Sequence, residues 1–304
     1  MNTMSNIKNI LLNSCKNEKV FYFSNPGNAG DSIIALGTFD YFNHIGLDYE
    51  LISEITPDIK DSIVIYGGGG YLNSYYFVPD LLNEIKEKAK KLILLPQTTV
   101  GFEDFLSSLG ENVIIFCREE TSYAHVKEHA LSAEVHLSHD MAFYIEISKY
   151  QQLKDYNTFN LIKRSAIKNK RDSVRIKHIW RMIRHKLSYE SKASNHTLNA
   201  FRKDVESMGW DLDFPNIDIS RSFAFTTQSE YKIRASACNF IQFIDKFDIV
   251  NTDRLHVAIT AALLGKNVNF YSNSYFKCEA IYNQSLKENY KNVTWKGQEK
   301  PIIK

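Results

Sequence analysis

Short apolar runs alternate with longer segments of helical period along the first half of the chain. The runs at 20–23, 63–66, 92–95 and 113–116 are rich in Val, Ile, Leu and Phe. Between them, 33–42, 81–91 and a stretch reaching His129 read as helices. Strands that are apolar throughout and alternate with helices predict a parallel, doubly wound sheet. Pro96 is expected to end the third strand. The pattern weakens at 148–156, which marks a domain boundary. A second α/β series follows, with a strand at 159–162, helices at 196–208 and 231–244, strands at 249–250 and 268–271, and a closing helix at 275–286. The fold class is therefore α/β, with two Rossmann-like domains, 1–152 and 153–304, facing a cleft.

Length and composition fit this reading. A chain of 304 residues, 44% hydrophobic and 24% charged, can bury two cores. The four cysteines are widely spaced with no Cys-x-x-Cys pair, which argues against a zinc cluster or a disulfide framework. The N-terminus lacks a signal-peptide apolar core, and no run approaches the ~18 apolar residues of a membrane span. The chain reads as cytoplasmic. The net charge of +2 hides an asymmetry: 163–192 carries 11 Lys/Arg and 2 acidic residues, a local +9, so the remainder carries −7. Within it Ile176, Ile179, Trp180, Ile183 and Leu187 recur at helical spacing among Arg175, Lys177, Arg181, Arg184 and Lys186. Such a cationic amphipathic helix suits the interface of an anionic membrane. It equally suits a stripe packed on its own domain with a solvated basic face. Nucleic acid is not expected, because no recognition motif accompanies the charge.

The candidate chemistry lies where strands end. Thr252-Asp253-Arg254-Leu255-His256 joins an apolar run at 247–250 to a helical run at 257–264. Open α/β sheets bind ligands at such junctions, and the helix N-terminus favours anions. Arg254 can grip a phosphate or carboxylate bidentately, and His256 can move a proton near neutral pH. Asn25-Pro26-Gly27-Asn28-Ala29-Gly30-Asp31 is a turn-rich loop whose glycines allow close approach of a ligand. Its Asp31 either caps the next helix or faces the cleft as a base. The run Gly67 to Gly70 suits a backbone that must hug a ligand or a neighbouring loop. It matches neither the dinucleotide fingerprint nor the phosphate loop, which disfavours nicotinamide cofactors and nucleotide hydrolysis. Arg118 follows the strand at 113–116, where it faces a site or pairs with a nearby carboxylate. Lys163 and Arg164 are expected at the matching edge of the second domain. His125 and His129 have i, i+4 spacing, but no acidic motif accompanies them, and a solvated helix face is the expectation. No metal site is expected.

Taken in order, the motifs resemble the polysaccharide pyruvyl transferase family. The matching pieces are Asn25 to Asp31, Tyr66 with the glycines, Leu95-Pro96-Gln97-Thr98 and Arg118-Glu119 with Ser122-Tyr123. They continue with His139-Asp140-Met141-Ala142-Phe143, Thr252 to His256 and Asn273-Ser274-Tyr275-Phe276-Lys277. Phe276 stands where the family usually has Gly. The resemblance implies a fold similar to glycosyltransferases of the B type. It implies transfer of pyruvate from phosphoenolpyruvate to a sugar as a ketal, with no cofactor. It implies His256 as acid, Asp31 as base and Arg254 as a catalytic cation. Arg164, Arg118, Lys277, Asn28, Gly30, Gly68, Gly69, Asp253 and Ser274 are the implied substrate-binding residues. The implied acceptor is a saccharide of capsule, exopolysaccharide or cell wall, or its lipid-linked precursor at the inner membrane face. A nucleotide-sugar-dependent glycosyltransferase of the same architecture and a non-catalytic saccharide-binding protein are the competing readings.

Overall fold

The computed structural model describes residues 6–73, 79–166, 173–193, 196–227 and 229–302. Part of the basic segment, 167–172, lies outside the described residues. The chain divides into two compact units, 1–26 with 37–145, and 27–36 with 146–304.

The first unit is built on a six-stranded sheet: β1 (Val20–Phe23), β2 (Glu50–Ile52), β3 (Ile63–Tyr66), β4 (Lys91–Gln97), β5 (Val113–Cys117) and β6 (Glu134–Leu137). The order is β2-β1-β3-β4-β5-β6, with every pair parallel. β1, β3 and β5 are buried at each position, as their unbroken apolar character requires. α1 (Ile7–Cys15) precedes β1, and the crossovers carry α2 (Ala29–Ile45), α3 (Pro79–Lys88), α4 (Glu103–Ser107) and α5 (Glu120–His129). The first two turns of α2 belong to the second unit. Chain order reverses direction between β1 and β3, so the loops after these strands sit at a topological switch point. Pro96 does not end β4. The ladder with β5 shifts register between Leu94 and Gln97, which accommodates the missing N–H.

The second unit holds a four-stranded parallel sheet in the order β10-β9-β8-β7. Its strands are β7 (Thr197–Ala200), β8 (Ile249–Thr252), β9 (Asn267–Tyr271) and β10 (Val293–Gly297). Its helices are α6 (Ser148–Gln151), α7 (Thr158–Ser165), α8 (Ile176–Glu190), α9 (Ile219–Ser222), α10 (Glu230–Ile244), α11 (Leu255–Leu263) and α12 (Lys277–Ile281). A ladder of amides pins the register: Asn251 Nδ2 donates to Asn199 Oδ1 at 2.8 Å, and Asn269 Nδ2 to Asn251 Oδ1 at 2.7 Å.

Two expectations fail in this unit. The run at 159–162 is not a strand but part of α7. Asn157 caps it by accepting from the Asn160 N–H at 2.9 Å, and only Leu161 is buried while Phe159 is exposed. Residues 196–208 are not a helix. Thr197 to Ala200 form β7, and the charged run after it leaves the sheet edge.

Candidate active site

The turn entering α2 is a reciprocal cap. The Asn28 side chain accepts the Gly30 N–H at 2.7 Å, and Asp31 Oδ2 accepts the Asn28 N–H at 2.7 Å. Asp31 therefore caps with one carboxylate oxygen. The same turn packs on the second unit's other candidate. A Cβ on Gly30 would come within 2.7 Å of His256 Nδ1 and 3.0 Å of Asn28 Oδ1, so only glycine fits there without displacement. The structure thus brings the backbone of the turn at Gly30 against the His256 ring, with Asp31 the next residue along that turn.

His256 is the second residue of α11, and Arg254 is its N-cap in extended conformation. Thr252 Oγ1 accepts the Arg254 N–H at 3.0 Å, which holds the turn at the end of β8. The Arg254 guanidinium is buried. Its Nη2 meets Asp204 Oδ2 at 2.8 Å and also Asp218 Oδ2, while its Nε is buried without a hydrogen-bond partner. An unsatisfied buried guanidinium nitrogen is costly unless something accepts from it, and an anionic ligand is one such acceptor.

Asp204 and Asp218 belong to a network invisible in the linear pattern. Arg202 Nε pairs with Asp204 at 2.7 Å and its Nη1 with Glu206 at 2.6 Å. Glu206 in turn accepts from Lys277 Nζ at 2.5 Å and Asn273 Nδ2 at 3.1 Å. Ser274 donates its N–H to Glu206 O at 3.0 Å. Burial alone would raise the Glu206 carboxyl, but Lys277 and Arg202 outweigh it and hold it far below the usual range. The helix expected over 196–208 hides the roles of Arg202, Asp204 and Glu206, and Asp218 carries no local motif. The period-two alternation of Arg202, Asp204 and Glu206 just beyond the alternating Leu198 and Ala200 is the signal the sequence offers. Asp253 is buried, and its Oδ1 accepts the Arg202 N–H at 2.8 Å. Desolvation pushes its carboxyl up to about 6.

Lys277 is buried and committed to Glu206. Arg118 is buried in the first unit, with Nη1 2.6 Å from Asp140 and Nε 2.8 Å from Thr98 Oγ1. Arg164 does not follow a strand. It lies in the last turn of α7, with its guanidinium 4.1 Å from the centre of the Tyr231 ring. Gly68 and Gly69 hug the end of strand β4: Gly69 donates to Pro96 O at 3.0 Å, and a Cβ on Gly68 would sit 2.7 Å from that oxygen. Asn25 Nδ2 donates to Gly68 O at 3.3 Å.

The fold also supplies an acid that the local reading of His125 and His129 lacked. Glu103 joins them, with potential ligand atoms of all three within 4.8 Å of one another. His125 Nε2 already lies 2.9 Å from Gly101 O. This group belongs to the first unit, and the residues gathered around Arg254 and His256 belong to the second.

Comparison with known proteins agrees with the order of motifs. The family model described as polysaccharide pyruvyl transferase matches residues 28–275. The chain is 23% identical over 293 residues to the Bacillus subtilis (strain 168) protein named "Putative pyruvyl transferase EpsO", covering 86% of this chain and 84% of that protein. It is similar to a solved structure of a functionally uncharacterised protein from Klebsiella pneumoniae subsp. pneumoniae NTUH-K2044. That match has 31% identity and a TM-score of 0.74, and covers 96% of this chain and 99% of that one.

Proposed function

The chain belongs to the polysaccharide pyruvyl transferase family, and from that premise we propose that it moves pyruvate from phosphoenolpyruvate onto a saccharide as a cyclic ketal. The observation that carries this reading is the meeting of the Asn28–Asp31 turn with His256, two residues after the half-satisfied Arg254. A donor with a phosphate and a carboxylate needs a cation, and Arg254 Nε is a buried donor awaiting an acceptor. Arg202, Lys277 and Arg118 pair with protein carboxylates and, unlike Arg254, have no buried nitrogen left without a partner, so they act as positioning residues.

In the proposed reaction His256 gives a proton to C3 of the enol, making it a methyl. C2 becomes electrophilic, and a sugar hydroxyl forms a C–O bond to it while Asp31 accepts the hydroxyl proton. The C2–O bond to phosphate then breaks with its electron pair leaving on phosphate. A second hydroxyl closes the ketal. Of the two hydroxyl protons, one replaces the proton given by His256 and the other leaves with inorganic phosphate. No redox step is required.

The α8 helix supplies a reason to place the acceptor at a lipid surface. Ile179, Met182 and Tyr189 face the core, while Ile176, Trp180 and Leu187 are exposed on another stripe. Lys177, Arg181 and Arg184 line the same groove as Trp180 and Leu187. Apolar insertion flanked by cations is the chemistry of an interfacial helix on anionic lipid. None of the described helices is long and apolar enough to cross a membrane. The acceptor in this reading is a cell-surface saccharide or its lipid-linked precursor.

The test is phosphate release from phosphoenolpyruvate with a saccharide panel in deuterated water. The expected result is release that depends on a saccharide, deuterium in the ketal methyl, and loss of both in His256→Gln. Full activity of His256→Gln would remove the acid role.

A further inference from the structure

The second unit contains a cavity of about 510 Å³ between α8, α9 and the segment after β7. That volume is in the range of small-molecule sites. Arg181, His185 and Lys192 reach it from the α8 side, Lys203 from the end of β7, and Arg221 from α9. The acid in its lining is Asp218, whose charge is already engaged. Asp218 Oδ1 accepts the Arg221 N–H at 3.4 Å, and Oδ2 accepts the Lys203 N–H at 3.4 Å and the Arg254 guanidinium.

Among the described residues, Lys192, Lys203 and Arg221 make no side-chain ion pair. Arg181 donates through Nη2 to Ala224 O, and its Nε is buried without a partner. The His185 tautomer follows from its neighbour. Ser222 Oγ donates to Asp218 O at 2.8 Å, so His185 Nδ1 is the donor to Ser222 Oγ at 2.8 Å. His185 Nε2 then faces a ligand as an acceptor in the neutral ring, and donates to an anion only when that anion draws a second proton onto the imidazole. Burial first, and then Arg221, depresses the Arg181 guanidinium; burial and then Arg184, Arg181 and Lys203 depress the His185 imidazole. Like charges gathered in a concave site repel until an anion enters. Several cations at once favour a phosphate or diphosphate over a single carboxylate.

We propose that this cavity binds a phosphate-bearing group at a site separate from the one around Arg254. The inference does not rest on pyruvyl transfer. Arg181 also lines the apolar groove of α8, so the phosphate of a lipid headgroup and that of a free compound share the required chemistry.

Calorimetric titration of inorganic pyrophosphate tests the site, using wild type and the double variant Lys203→Gln/Arg221→Gln. Both positions are exposed, so the variant is expected to fold. The expected result is saturable binding by wild type, at least tenfold weaker in the variant, with phosphoenolpyruvate affinity unchanged. Equal pyrophosphate affinities, or no saturable binding, overturn the site. Parallel weakening of pyrophosphate and phosphoenolpyruvate overturns its separateness. A flotation arm with phosphatidylglycerol and phosphatidylcholine vesicles identifies the source. Phosphatidylglycerol binding that the variant loses and pyrophosphate competes away supports a headgroup. Vesicle binding indifferent to both, alongside lost pyrophosphate binding, supports a free phosphate compound.

Discussion

Replacing Gly30 by alanine moves one methyl group against the proposed acid. The new Cβ would lie 2.7 Å from His256 Nδ1, whereas ordinary contact begins at 3.4 Å, so the ring must give by about 0.7 Å or the helix entry must shift. Asn28 Oδ1, at 3.0 Å from the same Cβ, must yield as well. Misplacing a reacting group by ~1 Å can cost about 100-fold, so kcat is expected to fall roughly 10- to 100-fold. Stability moves little, because alanine gains about 0.5–1 kcal/mol over glycine in a helix. A weakened Asn28 cap offsets that gain by about 1 kcal/mol. Donor affinity, assigned to Arg254, is expected to hold. The assay is phosphate release under varied phosphoenolpyruvate, paired with thermal unfolding. A variant with wild-type kcat and wild-type stability would refute the placement of His256 against this turn. A variant with a collapsed melting temperature would instead show a packing role.

Three further outcomes follow from the charged network and α8. Glu206→Gln leaves Lys277 and part of Arg202 buried without counter-charge, so denaturant unfolding should show a loss of about 3–5 kcal/mol; a loss under 1 kcal/mol would contradict the network. Asp253, with its carboxyl raised to about 6, keeps its proton in the folded state where the unfolded chain has lost it. This contribution is full below about pH 4 and is lost as pH rises through about 6, a swing of up to roughly 3 kcal/mol. Asp253→Asn should remove that swing, and an unchanged pH–stability slope would contradict the desolvation account. Trp180→Ser with Leu187→Ser should lower partition onto phosphatidylglycerol vesicles at least tenfold, since burying each apolar side chain is worth about 1.5–3 kcal/mol when complete. Unchanged partition would mean that this stripe does not enter lipid.

Much of the fold was legible because buried parallel strands read as unbroken apolar runs. β1 and β3 coincide with the runs at 20–23 and 63–66, and α10 and α11 follow their apolar periodicity. β7 was hidden because Thr197 and Asn199 make it half polar, and its asparagine belongs to a cross-strand ladder that a linear reading does not show. α7 resembled a strand through Phe159 and Ile162, whose exposure only tertiary structure reveals. The turns holding Arg254, His256 and Asp31 were legible because strand-to-helix junctions carry a local signature. The pairings were not: Arg254 finds Asp218 across 36 residues and Lys277 finds Glu206 across 71. Ion pairs at that separation leave no periodic trace.

The central claim is that Arg254 anchors phosphoenolpyruvate as the donor, and calorimetric titration tests it most directly. Wild type and Arg254→Gln would each be titrated with phosphoenolpyruvate and, separately, with uridine diphosphate. The predicted result is saturable phosphoenolpyruvate binding by wild type, at least tenfold weaker in Arg254→Gln, and no binding of uridine diphosphate. Binding of uridine diphosphate without phosphoenolpyruvate would contradict it and move the chain to nucleotide-sugar chemistry.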